Sequence, residues 1–174
     1  MSPIIRRGSQ MADPEAVTIR RAVAGDEAEV LRCIRALADY EGAPEAVDAT
    51  EESLRATLFR PEPVVHALLA EQAGRVVGLA LWFLNYSTWT GRSGIYLEDL
   101  FVEPGARGAG VGRRLMARLA AEAVAGGHAR LDWSVLDWNE KAMGFYRAIG
   151  GRHAAGWQPW RLEGAALAAL AAEG

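Results

Sequence analysis

The chain has 174 residues, of which 51% are hydrophobic and 24% charged, and a formal net charge of -3. That length and apolar content suit one domain with a full core. The slightly acidic balance lacks the basic field nucleic acid requires, and no uncharged apolar run is long enough to span a bilayer. A single cysteine, Cys33, allows no internal disulfide and fits a reducing cytoplasm, and His66, His128 and His153 lack metal-ligand spacing, so no metal is expected.

Residues 1–16 mix Ser, Pro, Arg and Gln without periodicity and read as a disordered tail ahead of one domain over 17–174. Residues 17–23 read as a strand. Gly25-Asp26 then opens a helix whose apolar positions Val30, Leu31, Ile34, Leu37 and Ala38 recur at helical spacing. Thr50-Glu51-Glu52 starts a second helix, which Pro61 and Pro63 stop. Apolar runs at 64–71 and 75–86, joined by Ala73-Gly74, form a hairpin. A strand over 94–103, a helix over 110–125, a strand over 129–136 and a helix over 139–149 follow. The chain closes with a strand over 157–162 and a short alanine-rich helix. This mixed order predicts a central mixed sheet covered by helices.

The junction between the strand at 94–103 and the next helix carries the strongest chemical signal. Gly108, Gly110 and Gly112 remove side chains that would hold a phosphate away from the backbone, and the helix start supplies unpaired N–H groups and a positive dipole end. Arg107 adds a cation ahead of the turn. A nucleoside-triphosphate loop would need Lys and then Ser or Thr after its last glycine, where this chain has Arg113 and Arg114. A dinucleotide fingerprint fails as well, because Arg113 stands where its third glycine belongs. The remaining alternative is a tight strand-to-helix turn with no ligand. Downstream, Asn139 sits at a helix start, followed by Phe145-Tyr146 and a Gly150-Gly151 stop.

Arg107-x-x-Gly110-x-Gly112, Asn139 and Phe145-Tyr146 together resemble the acetyl-CoA site of the GNAT superfamily of N-acetyltransferases. Tyr96-Leu97-Glu98-Asp99, Trp138-Asn139-Glu140 and Trp160-Arg161-Leu162 resemble its diamine (spermidine/spermine) branch. The resemblance spans 17–170. It implies an α/β (α+β mixed) fold with a largely antiparallel central sheet, acetyl-CoA as acetyl donor, a small-molecule amine as acceptor and a homodimer. Its implied cofactor contacts are Arg107, Gly108, Ala109, Gly110, Val111, Gly112 and Arg113 on the pyrophosphate, with Leu100, Phe101, Val102 and Asn139 along the pantetheine arm.

An alkyl ammonium with a pKa near 10.4 is neutral in only about one part in 2500 at pH 7, so acetyl transfer needs a base. Glu98 is the candidate, since a carboxylate on an apolar strand is costly unless it is used, and the resemblance to the diamine branch implies that it acts as the base through water; a solvated or ion-paired carboxylate is its alternative. Strict alternation places Glu98 with Leu100 on one face and Asp99 with Phe101 on the other; Asp99 is expected to position substrate or structure. The resemblance makes Tyr146 the acid that protonates the departing thiolate; alone, it could equally be a packed aromatic. Tyr40 and Glu41 resemble the Tyr-Glu pair that lines the amine site in the diamine branch, and Asp132, on the strand bordering the cleft, is expected to join them. Ser87, and Trp157-Gln158 before Pro159-Trp160, replace acidic residues of the diamine branch, which points to a shorter or more apolar amine, held by Trp89 or Trp157. The alternative for those tryptophans is core packing. A peptide amino-group acetyltransferase and a non-catalytic acyl-CoA-binding module are the competing functions.

Overall fold

The computed structural model describes residues 16–174, so the tail reading for 1–15 lies outside the described residues. The chain divides into two compact units, one ending at Ser134 and the other running over Val135–Gly174.

In the first unit, strand β1 (Thr18–Arg21) leads into helix α1 (Glu27–Tyr40), and helix α2 (Glu51–Leu58) follows. A capping box starts α2: Ser53 N–H donates to Thr50 Oγ1 and Thr50 N–H to Ser53 Oγ. Strands β2 (His66–Gln72) and β3 (Arg75–Ser87) form the expected hairpin, and Ala73 and Gly74 both take the positive φ of a type I′ turn. Strand β4 (Arg92–Val102), helix α3 (Val111–Ala125) and strand β5 (Leu131–Trp133) complete the unit. The sheet order is β1-β2-β3-β4-β5, antiparallel except for the parallel β4–β5 pair that α3 connects. The expected mixed, largely antiparallel sheet is thus observed, although β5 is shorter than the predicted 129–136.

Two layers cover the sheet. Val30, Leu31, Cys33, Leu54 and Leu58 of α1 and α2 pack with Leu69, Leu79, Leu81 and Phe101 on one face. Val111 and Leu115 of α3 approach β3 so closely that a Cβ at Gly78 would lie 3.3 and 3.2 Å from them, which fixes α3 on the opposite face. Among the described residues no helix is long and apolar enough to cross a membrane.

Asp26, at the N-cap position of α1, makes no cap bond there. Its carboxylate instead accepts from Arg20 at 2.6 and 2.9 Å and from Val23 N–H at 2.7 Å. The Arg20 bond is the main cause holding the Asp26 carboxyl below the usual carboxylate range. A depressed carboxyl pKa stabilises the fold above its unfolded value of about 3.9, and that contribution is lost as pH falls through the folded value. Asp26→Asn should therefore cost about 1–2 kcal/mol at pH 7, with partial exposure of Arg20 trimming the charge term, and the deficit should shrink in acid. Urea unfolding of both proteins across pH checks this; a deficit independent of pH would assign the effect to packing.

In the second unit, helix α4 (Glu140–Ala148) and helix α5 (Gly164–Ala171) flank an irregular segment. The strand expected over 157–162 does not form. Pro159 removes a backbone donor at its centre, and Trp157, Trp160 and Leu162 are exposed where a strand would need a ladder partner.

Candidate active site

The pairing of β3 with β4 slips at one point: Leu81 faces Asp99, yet Trp82 faces Leu97. Glu98 is the extra residue of a β-bulge, so strict alternation fails there. Asp99 lies opposite Leu81 and shares with Phe101 the face that α1 and α2 cover, while Tyr96, opposite Phe83, joins the same face across the bulge. The expected division into faces holds for Asp99 and Phe101 but does not carry through Glu98, which is exposed.

Burial first, then the charges of Glu98 and Glu41, push the Asp99 carboxyl up to about 6. Partial burial also raises Glu41, at the end of α1. Three carboxylates thus converge, two from the bulged strand and one from α1, and a carboxyl near 6 is suited to exchange protons at neutral pH. From sequence Asp99 is expected only to position substrate or structure; the adjacent acidic pair in an apolar strand is the available signal of a raised pKa. Tyr40 is brought to the same end of α1, and the Arg107 guanidinium stacks over its ring at 4.8 Å from the centroid.

The β4–β5 ladder ends at Leu97 and Trp133, and no strand among the described residues pairs with that edge of β4 from Glu98 onward. Glu103 N–H donates to Val77 carbonyl, so alternation turns the backbone groups of Phe101 toward β3 and those of Leu100 and Val102 toward the open edge. Arg107 Nε donates to Val102 carbonyl at 2.9 Å. Of the three expected arm contacts on β4, Leu100 and the Val102 N–H remain best presented, and the Phe101 side chain is core.

The glycine loop ends at Gly110, the left-handed N-cap of α3, which no side chain caps. Gly108 and Gly110 have φ of 86° and 78°, and a Cβ at either would meet no protein atom within 4 Å. Ala109 is exposed beside them. The first intrahelical bond runs from Arg114 N–H to Gly110 carbonyl, so the N–H groups of Val111, Gly112 and Arg113 are the unpaired donors of the helix start. The Val111 side chain is buried beneath them. Open space over exposed donors at a dipole end fits a pyrophosphate.

Asp132 is less available than its sequence position suggested. Its Oδ2 accepts from Asn85 Nδ2 at 2.7 Å and from Arg130 Nε at 2.6 Å. Trp89 and Trp157 are 86% and 73% exposed, which removes core packing as their explanation. Cys33 is fully buried and its thiol is pushed up to about 11, so it is no nucleophile.

In the second unit Asn139 is buried, and its Oδ1 caps α4 by accepting from Ala142 N–H at 3.1 Å. Tyr146 follows two turns later, half-buried, its ring centroid 5.3 Å from that of Phe145.

The family model described as the acetyltransferase (GNAT) family matches residues 30–150. The chain belongs to the GNAT acetyltransferase family. It is an N-acetyltransferase. Among its relatives, a thialysine N-epsilon-acetyltransferase of Bos taurus is 43% identical over 166 residues, covering 89% of this chain and 97% of the relative. A human spermidine/spermine N(1)-acetyltransferase-like protein 1 is 30% identical over 162 residues, covering 89% of this chain and 23% of that longer protein. An integron cassette protein from the mobile metagenome of V. cholerae has a TM-score of 0.75 and 29% identity, covering 89% of this chain and 97% of the other.

Membership of the family gives the glycine loop a ligand to test. Gly110→Val puts a branched side chain into the open space at a positive φ, so acetyl-CoA affinity should fall more than about tenfold. The backbone strain should separately lower stability by about 1–3 kcal/mol. Calorimetric titration of the folded variant checks the first effect, and unchanged affinity would remove the loop from the binding site.

Proposed function

We propose that the enzyme moves an acetyl group directly from acetyl-CoA to the side-chain or terminal nitrogen of a small primary amine, with both units working as one catalytic domain. The family model's span, residues 30–150, crosses the boundary between the units and supports that reading. The observation that carries the proposal is the strand β4, which bears the Glu98–Asp99 carboxylates on a bulge and ends in the phosphate-ready loop at Gly108–Gly110. One strand thus brings a proton acceptor and an acyl-donor anchor within the reach of a single thioester.

In this mechanism Glu98, exposed in the bulge, takes the ammonium proton through water, beside the Asp99 carboxyl that burial raises to about 6. The neutral amine attacks the thioester carbonyl. The N–H groups of Val111, Gly112 and Arg113 hold the pyrophosphate, with Arg107 adding charge, and Leu100, Val102 and Asn139 bind the pantetheine arm. Tyr146 protonates the departing thiolate, and the second proton, which the acylated nitrogen sheds as the amide forms, restores the phenol. Tyr40 and Glu41 line the acceptor side, and the acidic character there favours a cation. The bovine relative, a thialysine N-epsilon-acetyltransferase, supports a small amine acceptor.

We place this activity in the cytoplasm and propose that the enzyme acts as a homodimer. Trp160, Leu167 and Leu170 of the second unit are 91%, 52% and 56% exposed, apolar side chains that self-association would cover. Light scattering reads the oligomeric state. Thiol release from acetyl-CoA with diamines, amino acids, aminoglycosides and peptides tests the acceptor class; release with peptides alone would favour the protein amino-group alternative.

A further inference from the structure

Helix α1 is tied at two points to the segment that leads into the glycine loop. In its first half, Arg32 donates from Nη1 to the Glu103 carboxylate and from Nη2 to the Val76 carbonyl, the latter at 2.9 Å. At its end, the Tyr40 ring lies under the Arg107 guanidinium, 4.8 Å from centroid to carbon, while Arg107 Nε donates to the Val102 carbonyl at 2.9 Å. Glu103 and Arg107 bracket the short turn Pro104–Ala106 between β4 and the glycines. The helix that ends in the acceptor-side residues Tyr40 and Glu41 thus meets both ends of the approach to the donor loop. All of these residues belong to the first unit.

Arg107 makes two contacts, and neither answers its charge. The Val102 carbonyl and the Tyr40 ring are neutral, and among the described residues no carboxylate lies within ion-pair distance of the guanidinium. The neighbouring arginines on the same side are treated otherwise: Arg20 is met by Asp26 and Glu71, and Arg32 by Glu29 and Glu103. The Nε bond and the stacked ring fix the plane of the Arg107 side chain, which is half-buried, and leave Nη1 and Nη2 to take an anion in bidentate fashion one residue ahead of Gly108.

The acceptor side feels the same charge. An ammonium held beside Tyr40 and Glu41 would stand roughly 8–10 Å from a guanidinium seated on that ring. Two like charges at that separation, in a dielectric between those of protein and water, lower affinity by about threefold to tenfold. The Glu41 charge acts on Asp99, so both carboxylates draw a cation to this place while Arg107 subtracts from the attraction.

We infer that Arg107 couples the two substrates: seated on Tyr40, it opposes a cationic acceptor until the donor's pyrophosphate offsets its charge, so that acetyl-CoA and a cationic amine each raise the other's affinity. This rests on the amine-acetylation reading above and adds to that site a residue that selects for the cation only when the acyl donor is bound. Linkage makes the effect reciprocal, with one factor for both ligands.

The test measures calorimetric binding of cadaverine to the enzyme alone, with saturating CoA, and with saturating pantetheine, which has the arm but no pyrophosphate. CoA should raise cadaverine affinity about threefold to tenfold, and pantetheine should leave it unchanged. Arg107→Gln should bind cadaverine about threefold or more tightly than the wild type when CoA is absent, and CoA should then add nothing. A merely structural loss would weaken binding in both states. Arg107→Lys keeps the charge and should restore part of the coupling, and melting curves verify that the variants fold. Equal effects of CoA and pantetheine would overturn the inference, as would cadaverine binding that Arg107→Gln weakens throughout, or no cadaverine binding in any state. Thiol release showing cadaverine acetylated, without coupling to CoA, would overturn it while the acetyl-transfer reading stands. Coupling that requires Arg107, with no amine acetylated, would uphold it and sink the transfer reading.

Discussion

With Glu98→Gln, turnover should fall about 10²-fold or more at neutral pH and then climb about tenfold per pH unit toward the amine's own pKa near 10.4. In the wild type the ammonium form binds and the carboxylate pair removes its proton, so activity should hold across neutral pH and decline only as pH falls through about 6, where Asp99 takes up a proton. Without Glu98 only amine already neutral in solution reacts. Asp99→Asn makes the complementary change: the acid limb near 6 should move to lower pH. The sign for stability is opposite to that of Asp26. A raised carboxyl pKa means the ionised form opposes folding above that pH, so Asp99→Asn should stabilise the protein at pH 7 and lose the advantage as pH falls through about 6. pH–rate profiles with urea unfolding of both variants measure these effects. An acid limb that stays at 6 in Asp99→Asn would transfer the titration to another group.

The elements that rest on local chemistry were readable from the chain. The glycine loop, the Thr50 cap, the Ala73-Gly74 turn and the helical periodicity of α1 each depend on residues within a few positions of one another, so sequence spacing specifies them. What escaped depends on partners distant in the chain. The bulge at Glu98 is set by the register against Leu81 and Trp82, and alternation along one strand has no means of revealing it. It matters most at the candidate site, because it separates the exposed carboxylate from the half-buried one. Asp132 looked like a bare acceptor contact until Asn85, 47 residues earlier, and Arg130 took its Oδ2. The strand expected over 157–162 failed because aromatic content suggests a strand, whereas Pro159 and the absence of a ladder decide against one.

Tyr146→Phe should lower turnover about 10²-fold while acetyl-CoA affinity changes little. The substitution keeps the ring against Phe145 and removes only the hydroxyl, so packing within α4 and the Asn139 cap persist. A positioned acid contributes about 10²–10⁴-fold, but a thiol that ionises near the cysteine reference of about 8.5 is a fair leaving group even without a donor, which sets the expectation at the lower end. The effect should fall on kcat and kcat/KM alike, because the proton is needed only as the carbon–sulfur bond breaks and not in the ground-state complex. A parallel loss of acetyl-CoA affinity would make the hydroxyl a binding contact instead. Single-turnover rates with acetyl-CoA bound in advance separate these outcomes, and an undiminished rate would take the phenol out of the mechanism, leaving the thiolate to depart unaided.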